Sequence, residues 1–335
     1  LLSLKVTNQS NMHYLKVGIA FIFLGIFSAN AQYTETINSN RPGESQSAYA
    51  VGKNVLQLEA GGYFGNDNHT LFNSDTDILG ASYGLRYGFL TEILELNFFG
   101  SFQDQVTSIP VGNSSNEFRF SNFKTNTLGS KFLVFDPGVS VKERKVNLYS
   151  WKANQRLNLR SLIPAVSVYA GANFSWWENP YMFEGESIIS PKAALITQHN
   201  WGRWVLVMNF IADKFTEEYP SYGGIFTLTH AVTPKFAVFG EFQTYISDLY
   251  ADDLVRGGAA YLFGKDFQVD ISGLVNFKDT PSRWQVAAGV SYRFDFHDDD
   301  EYIEDTYEGD RNQRGEELEE TGFYKENEDV NGSGN

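Results

Sequence analysis

The 335-residue chain contains no cysteine, which excludes disulfides, thiolate metal sites and a cysteine for acyl anchoring. Positive charge is also short: 26 Lys and Arg stand against 41 Asp and Glu, a net of −15. Phosphate backbones need a basic surface, so no nucleic-acid partner is expected. Histidine is scarce, with five in the whole chain. There is no His-Glu-x-x-His, no phosphate loop and no calcium loop of the Asp-x-Asp-x-Asp-Gly type. His69, with Asp67, Asp75 and Asp77 nearby, is the best catalytic candidate, and a solvated loop histidine is its default reading. No metal, cofactor or enzymatic activity is expected.

Long hydrophobic runs are missing too. Past residue 31 no apolar stretch approaches the roughly 20 residues that a membrane helix requires. A chain that stays in lipid without such helices must close its strands into a barrel, because lipid satisfies no open backbone group. What is abundant fits that outcome. Aromatics make up 16% of residues and glycine occurs 30 times, which suits an all-β protein with outward rings and tight turns.

The start reads as an export signal. His13, Tyr14 and Lys16 precede an uncharged run, Val17 to Phe27, and Ser28-Ala29-Asn30-Ala31 gives a small-x-small cleavage site. The expected signal peptide is 1–31, with Met12 as the true start and Gln32 as the first mature residue.

Twelve segments of strand length follow: 54–64, 77–88, 91–104, 122–135, 161–175, 188–200, 203–213, 222–232, 235–247, 254–263, 266–277 and 283–296. Outward apolar and inward polar residues alternate along them, as in transmembrane barrels. In the last segment Val286, Ala288, Val290, Tyr292, Phe294 and Phe296 share one face, and Gln285, Ala287, Gly289, Ser291, Arg293 and Asp295 share the other. A periplasmic N-terminus gives external loops at 65–76, 105–121, 176–187, 214–221, 248–253 and 278–282. It leaves very short internal turns at Phe89-Leu90, Trp201-Gly202, Thr233-Pro234 and Gly264-Lys265, the asymmetry of outer-membrane barrels. The polar, basic stretch 136–160 breaks this pattern and makes the count of twelve uncertain by two. Aromatics near strand ends, among them Trp176, Trp177, Trp201, Trp204 and Trp284, suggest interfacial girdles.

The alternation turns Glu59, Arg86, Glu95, Lys131, Arg203, Asp213, Glu241, Asp270 and Arg293 inward as pore-lining candidates. Both signs are present, so a salt-bridge lattice filling the interior and a narrow polar pore are both compatible with the pattern. Residues 32–53 are a candidate periplasmic plug, with Arg41 expected to pair with a lumen carboxylate.

The run Gly289 to Phe294, with Tyr292, Phe294 and Phe296, resembles the terminal-strand signal read by the barrel-assembly machinery. Residues 298–335 then hold 15 acidic against three basic residues, a net of −12. So charged a tail cannot fold alone. It is expected to be a disordered periplasmic tail (297–335 as a domain), with docking to a periplasmic partner as the sharper alternative.

Finally, Asn40-Arg41-Pro42-Gly43-Glu44-Ser45, Val51-Gly52-Lys53 and Leu56-Gln57-Leu58-Glu59-Ala60-Gly61 resemble the opening of a known family. These are the outer-membrane transporters named after the MetA-pathway of phenol degradation. The resemblance covers about 38–296 and departs from the family at Asn40, where Asp is common, and in the acidic tail. It implies a barrel that passes small, often hydrophobic compounds. The reading is therefore an all-β transmembrane antiparallel barrel (54–296) in the outer membrane of a Gram-negative cell, contacting lipid. The expected function is passive passage of small hydrophobic or aromatic compounds. The alternative is a non-conducting barrel subunit of an outer-membrane complex.

Overall fold

The computed structural model describes residues 36–112, 114–140, 162–175, 179–183 and 185–296. The expected signal peptide, the acidic tail, Trp176, Trp177 and most of the basic stretch 136–160 lie outside these residues.

Twelve strands run in chain order. They are β1 (Val55–His69), β2 (Ser74–Gly88), β3 (Leu94–Val111), β4 (Ser114–Phe135), β5 (Ala165–Phe174) and β6 (Ile189–Trp201), then β7 (Trp204–Asp213), β8 (Ser221–Ala231), β9 (Phe236–Ser247), β10 (Ala251–Phe263), β11 (Phe267–Asn276) and β12 (Ser282–Asp295). One helical turn, α1 (Pro137–Ser140), follows β4. Every strand pairs antiparallel with its sequence neighbours, and β1 closes on β12 from Val55↔Asp295 to Asn68↔Ser282. Closure leaves no edge in the ring, which is the condition for strands to live in lipid.

The two faces of the wall are inverted relative to a water-soluble domain. Buried positions are largely polar: Gln57, Glu59, Arg86, Glu95, Asn97 and Lys131 are at most 6% exposed. Their sequence neighbours Leu58, Leu85 and Leu96 face outward and are exposed. An apolar exterior on a sealed ring of strands is stable only in hydrocarbon. At the end bearing the N-terminus, rings touch in series around the outside: Tyr261–Phe263, Phe263–Phe267, Phe267–Tyr292 and Tyr292–Phe294, with centroids 4.7, 5.9, 6.3 and 4.6 Å apart. This is an interfacial girdle. Tyr292, Phe294 and Phe296 of the expected assembly signal are all exposed on this outer face, whereas Gly289 faces inward.

Two expected outer loops prove to be strand. Instead of loops at 65–76 and 105–121, β1 runs to His69 and resumes in β2 at Ser74, while β3 and β4 extend to Val111 and from Ser114. Near the β3–β4 tip both faces are exposed. The apolar stripe that marks a membrane strand is absent there, although Val, Ile, Thr and Phe still favour extended chain. Pro110, expected in a loop, therefore lies in the last residues of β3. The turns at the opposite end stay short, although 89–93 and 232–235 are longer than the two residues expected of each. Gly202 and Gly264 occupy two others with φ of 62° and 76°, a conformation that glycine adopts without strain.

One irregularity matters below. Between β3 and β4, Ser101 faces Thr125 but Phe102 faces Phe123, so Lys124 is an extra residue, a β-bulge.

Candidate functional site

The N-terminal segment 36–53 runs through the inside of the barrel rather than away from it. Its backbone and side chains bond to inward residues of eleven strands. Arg86 Nη1 donates to Asn38 O at 2.6 Å, and the Asn40 amide donates to Glu59 Oε1 at 3.2 Å. Ser39 and Ser291 share a hydrogen bond of 2.7 Å. Amides of Glu44 and Ser45 donate to the Glu241 carboxylate, and the Gln46 amide donates to Asn209 Oδ1 at 2.6 Å. Gln198 Oε1 accepts from Ser47 Oγ and the Ala48 amide, while Ser167 Oγ donates to Ala48 O. Val51 closes the series by donating to Glu95 Oε2 at 3.1 Å. Ala48 also seats in an apolar cluster with Ile93, Leu133, Ala165, Tyr169 and Ile196. Burial, with the Asp136 carboxylate beside it, pushes the Tyr49 phenol up to about 12.

Arg41 is the most tightly held point. Its Nε and Nη2 donate to Asp270 Oδ2 and Oδ1 at 3.0 and 2.9 Å, and its Nη1 donates to Ser82 Oγ at 3.0 Å. The guanidinium lies against Gly61 and Gly289; a methyl group at either glycine would overlap it. Bidentate geometry of this sort combines strength with a fixed orientation.

A second ionic group lies nearer the short-turn end. Arg86 donates to both oxygens of Glu95 at 3.0 and 2.9 Å, with Glu59 at 3.4 Å, and Lys131 Nζ is 3.1 Å from Glu95. Lys131 also donates to the carbonyls of Ser47 and Tyr49. Charges this deeply buried persist because each is paired and hydrogen-bonded.

The segment divides the interior. A cavity of about 560 Å³ lies on one side and one of about 240 Å³ on the other, and Asn40, Arg41, Pro42 and Gly43 line both. In the larger cavity Tyr63, Phe99, Tyr169 and Tyr245 each lie flat over a glycine of the next strand, respectively Gly80, Gly84, Gly129 and Gly223. A missing Cβ on one strand thus makes room for a ring on its neighbour.

Of the nine inward candidates, Glu59, Arg86, Glu95, Lys131, Glu241, Asp270 and Arg293 are buried inside the barrel, and Asp213 is half-buried at the cavity wall. Arg203 departs from the expectation. It occupies the exposed two-residue turn that follows the last β6–β7 pair, Trp201↔Trp204, and its guanidinium donates to Val232 O. Its parity is inward, but the wall ends one residue earlier. Sequence reading missed Arg256, Asn209 and Gln198, although strand parity would have found them. It also missed Lys124, which parity hides because of the bulge. The histidines are dispersed: His69 accepts from the Phe72 amide, His199 contacts Leu162 O, and His230 stacks on Trp204. Among the described residues no cluster of three His, Cys, Asp or Glu could hold a metal.

Residues 39–294 match the family described as "Putative MetA-pathway of phenol degradation". The chain belongs to this family. The match spans the interior segment from Ser39 and nearly the whole barrel. No curated protein matches its sequence. Among solved structures, the COG4313 outer membrane channel from Pseudomonas putida F1 is 12% identical over 76% of this chain and 100% of that one, with a TM-score of 0.49. The translocator domain of the autotransporter NalP from Neisseria meningitidis is 10% identical over 76% and 90%, with a TM-score of 0.41. A mutant of TodX, a monoaromatic hydrocarbon channel, is 9% identical over 78% and 96%, with a TM-score of 0.38. An even-numbered antiparallel barrel with an apolar belt, aromatic girdle and polar interior is of the outer-membrane type. The chain is an outer-membrane β-barrel.

Proposed function

We propose that this barrel is a passive channel for small hydrophobic or aromatic compounds, with residues 36–53 as its constriction. One observation carries the reading: the interior is hollow on both sides of the segment, and the same four residues, Asn40 to Gly43, wall both cavities. Passage then needs no motor or cofactor, and selection follows from width and lining chemistry. Rings of Tyr63, Phe99 and Tyr245 give the larger cavity flat apolar surface, which favours aromatic solutes over sugars. The family's name supports that class.

The test is conductance of the purified full chain in planar bilayers, beside a variant lacking 36–53. Small wild-type conductance and a larger one in the deletion are expected; equal conductance overturns the constriction, and none in either overturns the channel. A second reading, a non-conducting subunit of an outer-membrane complex, draws on the density of the segment's bonds to eleven strands. It predicts stable co-purifying partners and a silent barrel.

A further inference from the structure

Four cationic side chains line the larger cavity: Arg41, Lys124, Lys192 and Arg256. Three have carboxylates. Arg41 holds Asp270 at 2.9 Å, Lys192 lies 3.7 Å from Asp213, and Arg256 is 3.1 Å from Glu44 and 3.7 Å from Glu241. Lys124 differs. Its ammonium donates to Gln103 Oε1 at 3.0 Å, and among the described residues no carboxylate is within ion-pair distance of it. The two carboxylates whose charge reaches it are paired elsewhere: Asp67 takes two bonds from Arg283 at 2.8 and 2.6 Å, and Glu44 takes one from Arg256 at 3.1 Å. An ammonium has three donors, and the amide oxygen of Gln103 uses one of them.

The backbone is built to place this group. Lys124 is the extra residue of the β3–β4 bulge, and a bulge re-aims a side chain that strict alternation would send to lipid. Around it stand the Tyr63 hydroxyl, donating to Gln103 Oε1 at 3.3 Å, and the Ser101 and Thr125 hydroxyls, 2.9 Å apart. The Phe99 ring, packed against Gly84, lines the same cavity. An unmatched cation beside hydroxyls and flat ring surface is complementary to a small anion with a flat apolar body.

We propose that the larger cavity binds aromatic monocarboxylates, with the carboxylate on Lys124 Nζ and the ring against Phe99 and Tyr63. The proposal deepens the channel reading and rests on it for the route by which the ligand arrives. Lys124 is then the specificity-determining residue of the conduit.

Equilibrium dialysis of radiolabelled benzoate against the detergent-solubilised full chain tests this, with acetate (charge without ring) and benzyl alcohol (ring without charge) as competitors. Saturable benzoate binding is expected, with both competitors weaker by about ten-fold or more. Lys124→Gln should lose about the same factor and Lys124→Arg should keep most of the affinity. Heat-modifiable gel mobility reports whether each variant has folded; if Lys124→Gln has not, the wild-type ranking of the three probes decides alone. Benzoate binding unchanged in folded Lys124→Gln, acetate as strong as benzoate, or no saturable binding by the wild type overturns the proposal. A barrel that conducts potassium chloride yet ignores benzoate sinks this inference and leaves the channel standing.

Discussion

Arg41 and Asp270 face each other across the inside of the barrel, joined by two hydrogen bonds of 3.0 and 2.9 Å although 229 positions separate them in sequence. The Asp270 side chain is fully buried. Removing one partner of such a pair leaves the other charge uncompensated at a cost of about 3–5 kcal/mol. Arg41→Ala is therefore expected to loosen the segment and raise single-channel conductance severalfold, while heat-modifiable mobility shows the barrel still folded.

The Arg41 cradle can also be broken without touching a charge. Gly61→Val puts a side chain where the guanidinium lies. Conductance should rise as in Arg41→Ala, and adding Arg41→Ala to Gly61→Val should produce little further change, since both act on one contact.

A chain free of cysteine permits a direct lock. Ser39 and Ser291 have their hydroxyl oxygens 2.7 Å apart, so Ser39→Cys with Ser291→Cys should form a disulfide in the oxidising periplasm. The oxidised double variant should stay at the wild-type conductance floor even with Arg41→Ala present. Reduction with dithiothreitol should release it, read in the same bilayer.

Glu95 sits between Arg86 and Lys131 and accepts the Val51 amide. Glu95→Gln leaves two buried cations facing a neutral amide. Stability measured by urea unfolding in lipid vesicles should fall by about 3–5 kcal/mol. Glu92→Gln should lose far less, since half-buried Glu92 accepts the Lys53 amide, a bond that a glutamine oxygen can replace.

On the outer wall, Leu128 is 58% exposed between Phe98 and Ala172 in the ladder. Leu128→Arg should cost about 2–4 kcal/mol in the same measurement if this position faces the hydrocarbon midplane. No loss would place it outside the bilayer.

Much of this architecture is readable from residues alone, and the reasons are particular. Alternation in β11 and β12 is regular apart from Leu274 and Ala287 because one face meets lipid and the other a largely polar interior, so Asp270 and Arg293 could be assigned to the interior from parity. Arg41 could be expected to seek a carboxylate, since a guanidinium in a dry lumen must be matched, but nothing in the sequence selects Asp270 over Glu59 or Glu241. The register between distant strands makes that choice. The outer ends of β1 to β4 were hidden because water on both faces removes the apolar stripe. Lys124 was hidden because a single inserted residue reverses parity, and Arg203 because the wall ends at Trp204.

The anchors around Ser39 to Arg41 include residues from both ends of the barrel: Glu59 on β1, Asp270 on β11, and Gly289 and Ser291 on β12. They exist as a set only when the first and last staves of the cylinder have met. A chain halted before its final strand offers Arg41 no Gly289 side to its cradle and leaves Ser39 without Ser291. Complete seating of the segment therefore requires a closed wall, since the Arg41 end of it is held partly by the last two strands.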